Sequence, residues 1–218
     1  MSIEWTPQAH KVSTARPYKG PIVQLTDEDL RFFEREYEIK SSVADEFIKS
    51  DGKSRYILPI YRPRNPIVRG WVLRRPWPGA PLKADPSLPK ADTYKEHPDD
   101  PLLSWHEGLL DSDRPHVLVE DQLSAIKLCS MGLNAVACLG KPVSTTSDCS
   151  PSAYARVREL SHYAPRLIVA LDADATAEAF QFVKRWGAAF REARVMILER
   201  DIKDMARGDI AELFYSAP

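Results

Sequence analysis

The sequence predicts an α/β protein in which a parallel four-stranded sheet with helices on both faces follows a smaller α+β lobe. Short apolar runs recur from His116 onward, separated by stretches of helical period, in the order strand, helix, strand, helix, strand, helix, strand. Such runs suit strands buried on both faces of a parallel sheet. Before about residue 113 the pattern differs: two helical segments precede two β-like runs joined by a short polar turn, which read as an antiparallel hairpin.

Taken in order, residues 1–24 are polar and proline-rich without a clear period, and an extended arm is expected. Thr26 then makes a good N-cap with Asp29 three positions on. Asp27 and Glu28 fall in the first turn, where the helix dipole favours anions, and Leu30, Phe33 and Tyr37 supply the apolar face. Ser41 or Ser42 opens a second, short helix containing Val43, Phe47 and Ile48 and ending near Asp51-Gly52. Residues 55–61 and 67–73 form the hairpin, joined across Arg62-Pro63-Arg64-Asn65-Pro66. Residues 76–101 are dense in proline and polar side chains, so a long ordered loop or extended crossing is expected there.

In the second half, His116-Val117-Leu118-Val119 runs into Glu120, and Ala135-Val136-Ala137-Cys138 runs into a Leu139-Gly140 turn. Leu167-Ile168-Val169-Ala170-Leu171 runs into Asp172-Ala173-Asp174, and Val195-Met196-Ile197-Leu198 into Glu199. The helix after Asp174 carries Ala179, Phe182, Val183, Trp186 and Phe190 at helical spacing, which is a core stripe. The resulting division is an arm over 1–24, a basic α+β lobe over 25–113 and an α/β domain over 114–218.

With 218 residues and 44% hydrophobic content the chain can fill one large domain or two small ones. No apolar run approaches the roughly 20 residues of a membrane-spanning helix. Met1-Ser2-Ile3-Glu4-Trp5 lacks the basic and apolar regions of a signal peptide, so a cytoplasmic protein without a membrane partner is expected. The three cysteines, Cys129, Cys138 and Cys149, have neither pairing number nor metal-ligand spacing, so neither a disulfide framework nor a structural zinc is expected. The net charge of −1 conceals a segregation. Residues 53–84 hold eight basic side chains and no acid, namely Lys53, Arg55, Arg62, Arg64, Arg69, Arg74, Arg75 and Lys83, with Tyr56, Tyr61, Trp71 and Trp77 interleaved. Cations for phosphates and flat rings for unstacked bases suit a single-stranded nucleic acid, and a solvated loop with inward-packed tryptophans is the alternative.

In open α/β sheets ligands bind outside the carboxyl ends of the strands. Acids gathered there repel one another unless a cation neutralises them, and an all-oxygen set points to Mg²⁺ or Mn²⁺. Glu120, Asp172 and Asp174 are therefore candidate metal ligands and catalytic residues.

A lone Glu at one strand end, Asp-x-Asp at a later one and Lys203-Asp204 after the next resemble the Toprim domain of primases, topoisomerases and related nucleases. Upstream, three stretches resemble the first lobe of the RNA-polymerase core of bacterial and phage DNA primases. Glu38-Ile39-Lys40 with the following Ser-Val-Ala-Asp-Glu-Phe is similar to the helix that begins that lobe. The hairpin is similar to its strand pair, and Tyr94-Lys95-Glu96-His97-Pro98-Asp99-Asp100-Pro101-Leu102-Leu103 to the signature just before the Toprim fold. Thr93 and Glu96 stand where that signature has Lys and Asn, Asp121 replaces the Gly of the first Toprim motif, and Ala177 replaces the Gly after Asp-x-Asp.

The resemblance implies a DNA primase core that joins ribonucleoside triphosphates into short RNA primers on single-stranded DNA during replication, alongside a separate helicase or polymerase. Asp172 and Asp174 would be direct metal ligands, with Glu120 either a further ligand or the general base. Asp204 would be an additional ligand, with Asp201 and Glu199 as substitutes. Lys95, Lys141 and Lys203 would meet nucleotide, with Lys90 an alternative to Lys95. Arg62, Arg64, Arg69, Arg74, Arg75 and Lys83 would meet DNA. Neither a zinc module before this core nor a helicase domain after it is expected. A Toprim nuclease and an inactive, primase-derived DNA-binding protein are the competing readings.

Overall fold

The computed structural model describes residues 16–98, 100–107, 114–139 and 151–215, and shows a mixed α/β protein built on two sheets. Helix α1 (Asp27–Tyr37) begins as the sequence predicts. Thr26 and Asp29 form a reciprocal capping box, the Thr26 hydroxyl accepting from the Asp29 N–H at 3.2 Å and the Asp29 carboxylate from the Thr26 N–H at 3.1 Å. Glu38 ends the helix in the left-handed region, at φ 53°. Asp29 is itself buried and accepts a 2.6 Å hydrogen bond from the Tyr56 hydroxyl, so the cap also pins the helix to the first sheet. Phe32 joins Phe33 and Tyr37 on the buried face, where Leu30 was expected and is only half-buried.

Helix α2 (Ser41–Phe47) stops earlier than expected. Ile48 is already extended, and β1 (Lys49–Ser50) follows. Strands β2 (Tyr56–Arg62) and β3 (Asn65–Arg74) form the predicted hairpin, with Arg64 at φ 53° in its turn. The stretch read as irregular contains a further strand, β4 (Ala91–Lys95), which pairs antiparallel along the open edge of β3. Its half-exposed, polar sequence gives no apolar alternation to read. Gly70 lets β4 come close, because a Cβ there would lie 2.3 Å from the Tyr94 carbonyl oxygen. The described part of the arm runs beside this sheet, with backbone bridges from Arg16 to Lys95 and from Val23 to Ser50.

The second sheet has the order β5-β7-β6-β8-β9. Its strands are β5 (Leu103–His106), β6 (His116–Val119), β7 (Asn134–Cys138), β8 (Arg166–Val169) and β9 (Glu192–Val195). Strands β7, β6, β8 and β9 are mutually parallel, and β5 adds an antiparallel edge, so the sheet has five strands where four were expected. Strand β5 comes from the stretch assigned to the first lobe. Strand β9 lies upstream of the apolar run 195–198: it is half exposed, as an edge strand is, so its sequence Glu-Ala-Arg-Val carries outward-facing polar residues.

Side-chain alternation sorts the core. Val117, Val119, Ala135 and Ala137 face α3 (Gln122–Ser130) and share one apolar cluster with α1, α2 and the first sheet. Leu118, Val136, Leu167 and Val169 face the other way, onto Val157 and Leu160 of α4 (Pro151–Tyr163) and Ala179 and Phe182 of α5 (Thr176–Trp186). The two lobes thus share a core. A last helix, α6 (Arg207–Tyr215), packs through Ile210. Among the described residues no helix is long and apolar enough to cross a membrane.

Candidate functional site

Parallel pairing of β6 with β8 brings their carboxyl ends to one edge. Glu120 directly follows β6. After β8 the Ala170 N–H still donates to the Leu118 carbonyl at 2.9 Å before the chain leaves the sheet at Asp172. Asp174 sits exposed in a 3-10 turn, Ala173–Ala175. Beyond β9 the Met196 N–H donates to the Val169 carbonyl at 2.9 Å, and the chain turns through Asp201 into a second 3-10 turn, Ile202–Asp204. The Asp201 carboxylate accepts from the Ala173 N–H at 3.4 Å, which ties the two turns together. Asp121 joins them as the N-cap of α3, its carboxylate accepting from the Ser124 N–H at 2.9 Å.

Lys203 is the hub of this group. Its ammonium lies 2.5 Å from Asp201 Oδ2, 3.1 Å from Asp121 Oδ2 and 3.7 Å from Asp172 Oδ2. Burial, then the negative charges of Asp174, Asp121 and Asp201, raise the proton affinity of Glu120 against the opposing pull of Lys203. Burial likewise pushes Asp172 up to about 7; Lys203 opposes the shift, while Asp121, Asp201 and Glu120 add to it. Burial works against the Asp201 carboxylate too, but the hydrogen bond and charge of Lys203 outweigh it and hold Asp201 below its ordinary range. Burial also opposes the charge of Lys203, yet Asp121, Asp201 and Asp172 hold its ammonium above the ordinary lysine value. The acids behave as one electrostatic unit, with proton uptake at Glu120 and Asp172 relieving repulsion.

Folded Asp172 keeps its proton up to about pH 7, whereas an unfolded aspartate releases it near its ordinary value of 3.8. Between those values the folded state binds more protons, so this group's contribution to stability falls as pH rises through the window. Asp201 acts in the opposite sense, stabilising the fold above the ordinary carboxylate range and losing that contribution in acid. Thermal melts in chelator from about pH 4 to about pH 7 should therefore decline more for wild type than for Asp172→Asn, which removes the Asp172 contribution. Parallel curves for the two proteins would show that Asp172 is not perturbed in this way.

Chemically the set suits a hard divalent cation, since its donors are carboxylate oxygens and its excess negative charge calls for one. Among the described residues no three His, Cys, Asp or Glu side chains converge into a ready-made cage, because the acids are gathered around Lys203. Asp204 does not join them: it is exposed, and its charge acts on Tyr37 and Lys127. Asp201, its named substitute, is the acid of this segment that meets Lys203. Glu199 is exposed. Lys95 lies on β4, its ammonium bound to the Pro98 carbonyl, and Lys141 lies outside the described residues.

A cleft of about 380 Å³ separates Glu120 and Asp121 from the first sheet. Val72, Arg74, Trp77 and Thr93 line one wall, and Glu120, Asp121, Leu123 and Leu139 the other. The Arg74 guanidinium lies 4.7 Å from the centroid of the Trp77 ring.

The basic strip divides on burial. Arg69, expected at DNA, is only 2% exposed and makes a bidentate pair with Glu159 of α4 at 2.8 and 2.7 Å, so it holds the lobes together instead. Arg55 is buried beside Asp92. Arg62 pairs with Asp100 at 3.5 Å, Arg64 and Lys83 are exposed, and Arg74 and Arg75 are half-buried. Tyr56 and Trp77 pack in the core rather than offering free faces for stacking. His106 is buried in β5, and burial lowers its pKa to about 3. Cys138 is buried and Cys129 half-buried, both without a disulfide.

Two members of the site were not recognised from sequence as such. Asp121 preceding Gln-Leu-Ser-Ala carries a readable signal, an N-cap aspartate. Lys127 carries none, being a lysine inside Ala125-Ile126-Lys127-Leu128. It is fully buried, and its ammonium donates to the main-chain carbonyls of Lys203 and Met205. Comparison with models of known protein families gives no match, and none is found among curated proteins.

Proposed function

We propose that this chain is a Toprim-type nucleotidyltransferase, a DNA primase core that builds short RNA primers on single-stranded DNA. One observation supports this above the others: Glu120, Asp172 and Asp174 follow neighbouring parallel strands at one sheet edge, and Glu120 lines a cleft whose opposite wall carries Arg74. That cleft falls within the size range of small-ligand sites. Glu120, Asp172 and Asp174 would hold Mg²⁺ or Mn²⁺, with Asp201 or Asp121 in the role expected of Asp204. A bound divalent ion would lower the pKa of an attacking hydroxyl and neutralise charge on the phosphates.

The chain's own residues have separate tasks. Glu120, whose proton affinity is raised, suits transient acceptance of the hydroxyl proton as well as ligation. Lys203 supplies a cation at the same edge for the triphosphate, and Arg74, held over Trp77, supplies one from the opposite wall. Phosphoryl transfer draws most of its acceleration from such positioning and charge neutralisation. Arg62, Arg64, Arg75 and Lys83 extend the cationic surface for template.

Replacing Arg74 and Arg75 together by Ala should weaken single-stranded DNA binding. It should also flatten the dependence of log K on log salt, by about 0.7 per lost phosphate contact. An unchanged slope would remove these two residues from the interface. The function itself is tested by incubating the protein with single-stranded DNA, the four ribonucleotides and Mg²⁺ or Mn²⁺. Short oligomers from a labelled nucleotide are expected. Shortening of labelled DNA without nucleotides would mean a nuclease, and neither product a binding protein.

A further inference from the structure

We propose that Lys203 is a built-in counter-cation, whose ammonium sits where the divalent ion would bind and competes with it for Asp121, Asp172 and Asp201. The inference rests on the metal reading of the acidic group and adds a control device to it.

The ammonium meets carboxylates from three separate elements: the N-cap of α3, the segment after β8 and the turn after β9, at 3.1, 3.7 and 2.5 Å. The ammonium donates a hydrogen bond to Asp201 and holds Asp121 and Asp172 in ion pairs. The lone pairs it occupies are those a hard cation needs. Lys203 is also no loosely tethered surface lysine, its side chain being only 15% accessible. The segment carrying it is gripped from below by Lys127, whose ammonium donates to the Lys203 carbonyl at 3.1 Å and to the Met205 carbonyl. Burying an ammonium is costly unless its donors are satisfied, and Lys127 meets that cost with main-chain oxygens of this one segment. Helix α3 therefore fixes both partners of the contact, Asp121 at its N-cap and the Lys203 segment through Lys127.

Without metal, Lys203 keeps the acids together and the site closed. A divalent ion that takes Asp172 and its neighbours must break these ion pairs, and the displaced ammonium is then left beside the cleft with its acids claimed. An anion is its natural next partner, so metal entry would arm Lys203 for the triphosphate.

The test is calorimetric titration of Mn²⁺ alone into the full chain, comparing wild type with Lys203→Met and Lys203→Arg. Lys203→Met should bind at least about fivefold more tightly, the lower end of the coupling between linked sites. Lys203→Arg, which keeps the competing charge, should stay near wild type. Wild-type binding that is unchanged or weakened in folded Lys203→Met overturns the competition and leaves the metal site standing. Absence of binding in all three proteins overturns both. If Lys203→Met is unfolded in chelator, recovery of its fold by Mn²⁺ reports the same competition, and failure to recover contradicts it.

Discussion

Replacing Arg69 by Met is expected to destabilise the protein by about 3–5 kcal/mol, the usual consequence of removing one partner of a buried ion pair. Arg69 projects from β3 and Glu159 from α4, and the two share parallel hydrogen bonds of 2.8 and 2.7 Å. Glu159 also accepts from the Trp105 indole at 2.8 Å, and the Arg69 guanidinium reaches the Leu103 carbonyl of β5. The pair therefore ties the first sheet to the edge strand and outer helix of the second. Methionine fills much of the arginine's volume but leaves the Glu159 carboxylate, only 14% accessible, without a counter-charge. Urea denaturation reads the loss directly. Arg69→Met/Glu159→Met should recover much of it, because apolar pairs replace buried ion pairs at little net cost. A single-variant loss below about 1 kcal/mol, the range of surface pairs, would mean that the contact is not closed to water.

Asp172→Asn is expected to lower nucleotide incorporation by about a hundredfold or more, the scale set by removing one preorganised charge-bearing group from a phosphoryl-transfer or oxyanion site. The same change should leave stability at pH 8 unchanged or raised. Asp172 is crowded by Asp121, Asp201 and Glu120, so a neutral side chain of the same shape relieves repulsion even as it weakens a cation site. Loss of activity without loss of fold is the pattern expected where stability has been yielded to chemistry. Incorporation assays paired with thermal melts measure both quantities. A variant that is inactive because it is unfolded would place Asp172 among the structural residues.

Local and two-face signals made much of the fold legible. The Thr26 and Asp29 cap is read from four residues, and β6, β7 and β8 are apolar on both faces because sheet or helix covers each side. The elements misjudged in sequence are those for which such signals fail. Strand β4 is a half-exposed edge between prolines, β5 is a four-residue strand, and β9 shows its polar side chains to solvent, so the apolar run after it was the more conspicuous segment.

The same contrast holds in the site. Glu120, Asp172 and Asp174 could be picked out because a strand end announces each. The tasks of Asp121 and Lys203 depend on ion pairs between distant parts of the chain. Arg69 misled for the same reason, since its partner lies 90 residues further on and an unpaired basic strip looks identical on paper.

The strand-end carboxylates are proposed to form a divalent-metal site serving nucleotidyl transfer. Its most direct test is calorimetric titration of Mn²⁺ into wild type, Asp172→Asn and Asp174→Asn. Saturable binding to wild type and at least about tenfold weaker binding to each folded variant are expected, equivalent to about 1.4 kcal/mol per lost charge. Equal binding by all three proteins, or none by any, would contradict the proposed site.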